Sequence, residues 1–387
     1  MFNQRKIGII GTGKIAGIMA RTIKKMKNVK CYAVASRDLS RAQAFAKEFN
    51  VKKAYGSYEE MVKDSKIDLV YIATPHSEHY DNMRLCIDNG KNVLCEKAFT
   101  ANAKQAEEIF SLAKEKNVFV TEAMWTRYMP MLTTIRGIIS SGIIGTPSVL
   151  NCNLGYYVAE KERMVNPQLA GGALLDLGVY TLNLAAMLFG NDVVKICSSC
   201  TMTPSGVDAS DSITLLYRDG RMAVLNCTML GISDRRGVIY GTNGYIEIEN
   251  INNFESVSVY DKDHKLIKTE KAPKQITGYE YEVMASLEAI DRNATECWEI
   301  PHAETLRIMH VMDDLRQEWG VVYPFEEQSE IANETSDEGE ETLIENVQEQ
   351  NDTIEQIEDK LLTDNNIESN NDINAENVDS EGIGTNM

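Results

Sequence analysis

The chain opens, at residues 6–16, with the sequence Lys6-Ile7-Gly8-Ile9-Ile10-Gly11-Thr12-Gly13-Lys14-Ile15-Ala16: a short apolar strand pattern, a glycine-rich turn and the start of a helical pattern that continues to Lys25. The first glycine of such a turn permits the tight bend, the second lets backbone approach a pyrophosphate, and the small Ala16 lets the helix pack on the strand. The helix N-terminus then faces the phosphates. The sequence therefore predicts a dinucleotide site that includes Gly11, Thr12, Gly13, Lys14 and Ile15.

Strands and helices keep alternating through the first third of the chain. Further strands are predicted to begin near Lys30, Asp68, Asn92 and Val118, and helical stretches separate them. This alternation is typical of an α/β fold with a doubly wound parallel sheet, which binds ligands at the carboxyl ends of its strands. We therefore expect a dinucleotide-binding Rossmann domain over residues 1–123.

The end of the second predicted strand bears on the choice of cofactor. Ser36 and Arg37 stand there, and Arg41 follows one helical turn later. A carboxylate in this place would bind the ribose 2′-hydroxyl of NAD, whereas an arginine accommodates the 2′-phosphate of NADP. These residues favour NADP over NAD, although NAD is possible. The alternative is that both arginines are solvated and that Asp38 binds the ribose.

Two later strands also end in polar residues. Thr74-Pro75-His76-Ser77-Glu78-His79 follows one of them, and Glu96-Lys97 ends another. The threonine, the proline and both histidines are expected on the cofactor side or at the start of a helix rather than on a metal, because no third ligand is near. Lys97 stands where ligands bind in such sheets, although by itself it could equally be a solvated lysine.

The pattern changes after Glu122. A polar-aromatic cluster, Trp125-Thr126-Arg127-Tyr128, comes first, and from Val193 to Lys271 only strands are predicted, with hairpin turns at Asp219-Gly220 and Asn243-Gly244. Two helices close this part of the chain. We therefore expect a second, α+β domain over residues 124–325, with a large, mostly antiparallel open sheet.

One predicted α-helix in this second domain combines glycines with two polar residues. It reads Gly171-Gly172-Ala173-Leu174-Leu175-Asp176-Leu177-Gly178-Val179-Tyr180. Asp176 and Tyr180 are four residues apart, which places their side chains one above the other on an α-helix. The glycines suggest close approach by another surface. The alternative is an ordinary amphipathic helix with two polar residues.

The acidic charge of the chain is confined to its last part. The 387 residues hold 39 basic and 58 acidic side chains, but from Glu326 onwards 20 acidic residues stand against Lys360 alone. Residues 1–325 are therefore neutral and have no electrostatic footprint for nucleic acid or an anionic membrane. Residues 326–387 are expected to be a disordered acidic tail.

Targeting and redox features point to the cytoplasm. Residues 1–20 lack the long apolar stretch of a signal peptide, and no apolar run approaches the roughly 18 residues of a membrane span. Of the eight cysteines only Cys197 and Cys200 are close, and a strand would place them on opposite faces. We expect reduced thiols and no metal site.

At this point the sequence resembles the Gfo/Idh/MocA oxidoreductases over about residues 1–325. Within that family it is most similar to the branch of dimeric dihydrodiol dehydrogenases and NADP-dependent D-xylose dehydrogenases. The motifs that carry the resemblance are GTGKIA (11–16), ATPHSEH (73–79), CEKA (95–98), EAMWTRYMP (122–130), GGALLDLGVY (171–180) and MHVMDDLRQEWGVVYPFE (309–326).

The resemblance implies hydride transfer between nicotinamide and a hydroxyl-bearing carbon of a sugar, polyol or trans-dihydrodiol. The lysine of the family's EKP motif corresponds to Lys97, although Ala98 replaces the proline, and its DxGxH/Y motif corresponds to Asp176 and Tyr180. We expect Tyr180 to act as acid and base and the Lys97 ammonium to lower its pKa. Asp176 would bind the substrate or position this pair.

The remaining site residues are assigned around this centre. Glu96 is expected to orient Lys97 or bind the nicotinamide ribose, and Trp125 and Arg127 to line the substrate pocket. A homodimer through the second sheet is also implied by the resemblance. Two alternatives stay open: an inositol or nucleotide-sugar dehydrogenase, and a regulator that binds nucleotide without turnover.

Overall fold

The computed structural model describes residues 4–326, and its first sheet has six parallel strands. Their spatial order is β3-β2-β1-β4-β5-β6. The order reverses between β1 and β4, and doubly wound sheets bind ligands at such a switch point. The strands are β1 Arg5–Ile10, β2 Val29–Ala35, β3 Lys53–Tyr55, β4 Leu69–Ile72, β5 Val93–Glu96 and β6 Val120–Ala123.

Five α-helices connect these strands. They are α1 Lys14–Lys25, α2 Leu39–Phe49, α3 Tyr58–Val62, α4 His79–Asp88 and α5 Ala103–Lys116, with a 3₁₀ turn at His76–Glu78. Side-chain caps explain where three of them begin, because Asp38, Ser57 and Asn102 each accept a hydrogen bond from a backbone N–H of the first turn. The parallel strands and the helices that connect them confirm the predicted doubly wound domain.

The strand β3 is missing from the sequence prediction. It has three residues at the edge of the sheet, and all of them are only half-buried. A segment this short shows no periodicity, and nothing in its composition marks it as a strand.

The second sheet has eight strands in the order β14-β13-β12-β11-β7-β10-β9-β8. All neighbours are antiparallel except β7 and β10, so the expected mostly antiparallel sheet is confirmed. The strands are β7 Pro147–Gly155, β8 Val193–Met202, β9 Asp208–Tyr217, β10 Met222–Thr228, β11 Gly237–Gly241, β12 Gly244–Glu249, β13 Ser256–Asp261 and β14 Leu266–Lys271.

Helices cover one face of this sheet and lead the chain back to the first domain. His302 Nε2 donates a hydrogen bond to the carbonyl oxygen of Val120 in β6 (2.8 Å), and the backbone N–H of Ala103 donates to Asp313 (2.7 Å). The α-helices are α6 Pro130–Ser140, α7 Glu162–Val165, α8 Val179–Phe189, α9 Glu280–Asp291 and α10 His302–Trp319; 3₁₀ turns lie at Trp125–Tyr128 and Pro167–Leu169, and a π-helical turn at Leu174–Gly178.

The segment Pro167–Phe189 is long and apolar enough to cross a membrane. The expectation that no apolar run approaches that length is therefore wrong for the described residues. The protein itself covers 83% of the relevant window, so the apolar character of this segment is that of a core helix between the sheet and α10.

Both sheets lie in one compact unit that ends at Pro324. The division at residue 123 stays a prediction. Of the predicted tail, residues 326–387, all but Glu326 lie outside the described residues.

Candidate active site

A cleft of about 740 Å³ runs along the carboxyl ends of the first sheet, within the size range of small-molecule and cofactor sites. One wall is formed by the glycine-rich turn and the strand ends of the first domain. The other is formed by the π-helical turn and by residues 156–169. Residues predicted for the site that do line it are Gly11, Thr12, Gly13, Lys14, Ile15, Ser36, Arg37, Arg41, Thr74, Pro75, His76, Glu96, Lys97, Asp176 and Tyr180.

The glycine-rich turn fits a pyrophosphate. Gly11 has φ +102° and passes so close to the Ala73 carbonyl that a Cβ would lie 2.6 Å from the oxygen. A Cβ on Gly13 would instead meet nothing within 4 Å, which leaves open space at the start of α1. Since no side chain caps this helix, its first N–H groups are available to an anion. These residues can hold the diphosphate of a dinucleotide.

At the end of β2 the two arginines and Asp38 behave differently. Arg37 is 74% exposed and lies 3.7 Å from Glu78, and Arg41 also faces the cleft. The Asp38 carboxylate turns to its own helix, where it accepts from the Ser40 N–H (2.8 Å) and hydroxyl (2.7 Å). These bonds lower the pKa of Asp38.

Lys97 reaches across the cleft from the end of β5. Its Nζ donates to the Asp176 carbonyl oxygen (2.7 Å) and to Oδ1 of the same residue (2.9 Å), and both side chains are about nine-tenths buried. The peptide bond between Lys97 and Ala98 is cis. An ammonium has three donors, so one of them is free of these two bonds. Lys97 is therefore not a solvated strand-end lysine.

Arg163, which the sequence reading missed, completes the surroundings of Asp176. Its Nη1 and Nη2 lie 3.0 and 3.2 Å from Oδ1 and Oδ2 of the carboxylate. Burial alone would raise the pKa of Asp176, but Lys97 and Arg163 outweigh burial and hold it well below its usual range. Asp176 is ionised at any ordinary pH.

Asp176 lies in the π-helical turn, not in the α-helix that the spacing predicts. The prediction that Asp176 and Tyr180 stack relied on the regular spacing of an α-helix. That spacing is absent between them, because a π turn contains an additional residue. Both side chains nevertheless face the cleft. Turns of this kind are frequent at functional sites, but no residue pattern marked this one.

Tyr180 is held by Trp125. The indole Nε1 donates to the Tyr180 hydroxyl (3.1 Å), and the indole ring stacks on Tyr279 with centroids 4.1 Å apart. The Lys97 ammonium lies over the face of the Tyr180 ring, 5.0 Å from its centroid. Burial and the neighbouring Tyr279 raise the pKa of Tyr180 well above its ordinary value. The pKa is therefore not lowered on balance as expected, because burial outweighs any lowering by the Lys97 ammonium, which is paired with Asp176.

Glu96 lies in the floor of the cleft beside Lys97. The Tyr71 hydroxyl, itself buried, donates a short hydrogen bond to its carboxylate. Burial raises the pKa of Glu96 to about 7, although Tyr71 and Lys97 oppose this shift. Glu96 therefore titrates near neutral pH.

The two predicted histidines differ in their positions. His76 lines the cleft and contacts the Ala170 carbonyl oxygen through Nδ1 (3.1 Å), and burial lowers its pKa to about 3, so its ring is neutral. His79 is fully buried between the carbonyl oxygens of Thr74 (3.0 Å) and Ala98 (2.9 Å). The prediction that His79 contacts the cofactor directly is therefore wrong. Within residues 4–326 no group of three potential ligands could hold a metal ion.

Arg127 and Trp125 do not line the cleft. The buried Arg127 guanidinium donates to Asn183 (2.6 Å) and pairs with Glu304 (3.2 Å), so it joins helices of the second domain. Trp125 contacts Tyr180 and Tyr279, which themselves line the cleft. The prediction that both residues line the substrate pocket is therefore wrong, because the cluster that follows β6 packs beneath the wall of the cleft.

Other wall residues carried no signal in the sequence. They come from the segment after β7, from the turn after β12 and from the start of α9, and they reach the cleft only through tertiary folding. They include Tyr156, Val158, Lys161, Leu169, Asn252 and Tyr279.

Comparison with known proteins places the chain in a family. Residues 5–124 match the model described as "Oxidoreductase family, NAD-binding Rossmann fold", and residues 132–247 match the "GFO/IDH/MocA C-terminal domain". The chain belongs to the Gfo/Idh/MocA oxidoreductases. It is thus an oxidoreductase with an NAD(P)-binding Rossmann domain.

Members with assigned activities are similar over most of its length. The trans-1,2-dihydrobenzene-1,2-diol dehydrogenases of Xenopus tropicalis and Sus scrofa are 34% and 31% identical over 82% of the chain and 99% and 97% of their own lengths. These Gfo/Idh/MocA relatives support a dehydrogenase.

Solved structures share the fold at low identity. A 3-ketoreductase from Actinomadura kijaniata, in complex with NADP and TDP-benzene, has a TM-score of 0.74 at 22% identity, covering 81% of this chain and 98% of its own. An aldose-aldose oxidoreductase from Caulobacter crescentus has a TM-score of 0.74 at 18% identity, covering 81% and 97%.

Proposed function

We propose that this protein is an NADP-preferring dehydrogenase acting on a CH–OH group of a sugar, a polyol or a trans-dihydrodiol. The observation that carries the proposal is the buried contact of Lys97 with Asp176 beside Tyr180, at the end of the cleft away from Arg37 and Arg41. The dihydrodiol dehydrogenases named above support the substrate class.

The reacting oxygen of the substrate is placed between Lys97 and Tyr180. A bound nicotinamide supplies the hydride acceptor or donor. The Tyr180 oxygen accepts from Trp125, so its own O–H is free to donate to a carbonyl oxygen during reduction. During oxidation the substrate hydroxyl returns its proton to the phenolate, whose charge the Trp125 N–H and the Lys97 ammonium stabilise.

A vicinal diol suits the donors and acceptors that remain. The third proton of the Lys97 ammonium can bind the reacting oxygen, as described above. Oδ2 of Asp176 takes one bond from Arg163 and keeps a free lone pair. That lone pair can accept the hydroxyl of the neighbouring carbon. A substrate with adjacent hydroxyls therefore fits better than a simple alcohol.

The proposed preference for NADP rests on the residues that follow the C-terminal end of β2. Arg37 and Arg41 face the cleft, whereas the Asp38 carboxylate is occupied as the cap of α2. A 2′-phosphate would find two guanidinium groups there. A ribose hydroxyl would find no free carboxylate at Asp38.

Absorbance at 340 nm tests these assignments. Purified protein is incubated with NADP or NAD and with aldoses, polyols, inositols, nucleotide sugars, trans-dihydrodiols and matched mono-ols. Turnover of a vicinal diol with NADP, and a lower KM for NADP than for NAD, is expected. The oxidation rate should rise with pH, because the raised pKa of Tyr180 leaves little phenolate at neutral pH. NADP binding without turnover of any substrate would contradict the proposal and favour a regulator.

A homodimer through the second sheet is also proposed. Tyr240, Tyr245 and Tyr260 are cross-strand partners on its open face, and Tyr245 stacks on Tyr260 with ring centroids 4.7 Å apart. Sedimentation equilibrium should give twice the chain mass. Tyr240→Glu should give single chains if this face is the interface, and an unchanged dimer would exclude it.

A further inference from the structure

Two carboxyl groups are buried behind the π-helical turn without facing the cleft. Asp208 and Asp211 belong to the start of β9, and they are 0% and 3% exposed. Neither lines the cleft, and neither is used in the reaction proposed above. Carboxyl groups this deep need a compensating partner, because burying an unpaired charge is costly.

Each carboxyl contacts one end of the turn. Oδ2 of Asp208 accepts from the backbone N–H of Leu174, the first residue of the turn, at 2.6 Å. Oδ2 of Asp211 accepts from the Cys227 thiol (2.9 Å) and would lie 3.7 Å from a Cβ on Gly178, the last residue of the turn. The backbone just before the turn also lies close to Asp208, since a Cβ on Gly172 would lie 2.2 Å from its Oδ1.

The outer oxygens of the pair have no separate donor. Oδ1 of Asp208 and Oδ1 of Asp211 are both buried and find no hydrogen-bond partner as ionised groups. The groups that act on the pair from β8, β10 and the turn are the thiols of Cys200 and Cys227 and backbone N–H groups, with no cation among them in the described part of the chain. Burial raises the pKa of both carboxyls, and the charge of Asp208 raises that of Asp211 further. Each carboxyl is also a side-chain hydrogen-bond partner of the other, so one proton can be shared between them.

We propose that Asp208 and Asp211 are positioning residues that share one proton, and that this singly protonated pair holds the π-helical turn so that Asp176 and Tyr180 face Lys97. Asp208 fixes Leu174, two residues before Asp176. Asp211 and Cys227 support Gly178, two residues before Tyr180. The inference rests on the proposed dehydrogenase function only for its kinetic consequence.

The shared proton is tested by infrared difference spectroscopy at pH 8, without substrate. Wild type should show the C=O stretch of a neutral carboxylic acid that Asp211→Asn lacks, and the band should shift in D₂O. Asp219→Asn, on an exposed hairpin, is the matched control and should leave the band unchanged. Identical spectra for wild type and Asp211→Asn would overturn the shared proton.

The positioning is tested with two substitutions at one residue. Asp211→Asn keeps a donor to Asp208 and an acceptor for Cys227, so kcat should stay within about twofold of wild type. Asp211→Leu removes both, and kcat should fall at least about tenfold, because small misplacements of reacting groups are costly. The Kd for NADPH, measured by the fluorescence of its reduced nicotinamide, should stay within about twofold in both variants, since the glycine-rich turn is in the other domain.

The outcomes separate the two proposals. A folded Asp211→Leu variant with wild-type kcat overturns the positioning, as does an Asp211→Asn variant that loses as much kcat as Asp211→Leu. If Asp211→Leu does not fold, the infrared band and the kcat of Asp211→Asn decide. Absence of turnover in wild type contradicts the proposed function and leaves the infrared test of the pair intact.

Discussion

Asp176 and Asp211 are buried carboxyls on the two sides of one π-helical turn, and they are compensated differently. Asp176, on the cleft side, is ionised and contacts Lys97 and Arg163. Asp211, on the sheet side, is compensated in our proposal by a proton and contacts Asp208 and a thiol. Ion pairs surround the carboxylate that is to bind and polarise a substrate, whereas a singly protonated carboxyl pair lies where only backbone must be held. Removing one partner of a buried pair is costly on either side.

The largest effect is expected on the charged side. Lys97→Met should lower kcat roughly 10²–10⁴-fold, the range typical for loss of a group that assists proton transfer. It leaves Asp176 with Arg163 alone and takes the ammonium from the face of Tyr180. Lys104→Met, an exposed lysine of α5, should keep wild-type kcat. Stopped-flow turnover with saturating NADP measures both, and near-full kcat in Lys97→Met would refute the assigned function of this lysine.

A methyl group on the sheet side of the turn should reduce stability instead. Gly172 has φ +125°, and a Cβ there would collide with Asp208, so Gly172→Ala should lower the free energy of unfolding by about 3 kcal/mol. Gly13→Ala is the matched comparison, because its Cβ meets nothing. It should keep the wild-type Tm but raise the Kd for NADP at least about tenfold, since the methyl occupies space meant for the diphosphate. Urea unfolding and fluorescence titration distinguish the two; equal effects on Tm would contradict the comparison.

A smaller, pH-dependent effect is expected for Arg163→Met. At neutral pH kcat/KM should fall at least roughly tenfold, because both hydrogen bonds from Arg163 to the charged Asp176 are lost. Arg163 helps to lower the pKa of Asp176, so its removal raises that pKa. A carboxylate whose pKa is lowered in the folded state loses its contribution as the pH falls through that pKa. When the pKa of Asp176 rises, the acid limb of the kcat/KM profile should therefore move to higher pH. Arg218→Met, at an exposed hairpin pair, is the control; an unmoved acid limb would exclude electrostatic support by Arg163.

The parts of the site that sequence predicts are those encoded locally. The turn at Gly11 and Gly13 and the strand end at Lys97 follow from apolar runs and from the rule that ligands bind at strand ends, and the family motif pointed to Asp176 and Tyr180. Arg163 escaped because it lies in an irregular segment and acquires its contact only through tertiary folding. Arg127 and His79 were misplaced for a related reason: polar residues near a strand end can equally bind buried partners.

The π-helical turn shows the same limit. Its sequence is apolar with helical spacing, and an α-helix is the ordinary reading. The contacts around it, from Asp208 to Leu174 and from Cys227 to Asp211 under Gly178, come from residues more than 30 positions away. No local pattern could therefore have indicated it.

His79 has a mechanical consequence for the cleft. Its ring is packed between the carbonyl of Thr74, after β4, and that of Ala98, after β5, and because burial lowers its pKa the neutral ring donates its one N–H to one of them. The turn beside the cofactor site and the turn that carries Lys97 are thus in contact through one buried ring. A displacement of either turn would be transmitted to the other, so Lys97 and the residues beside the dinucleotide are positioned together.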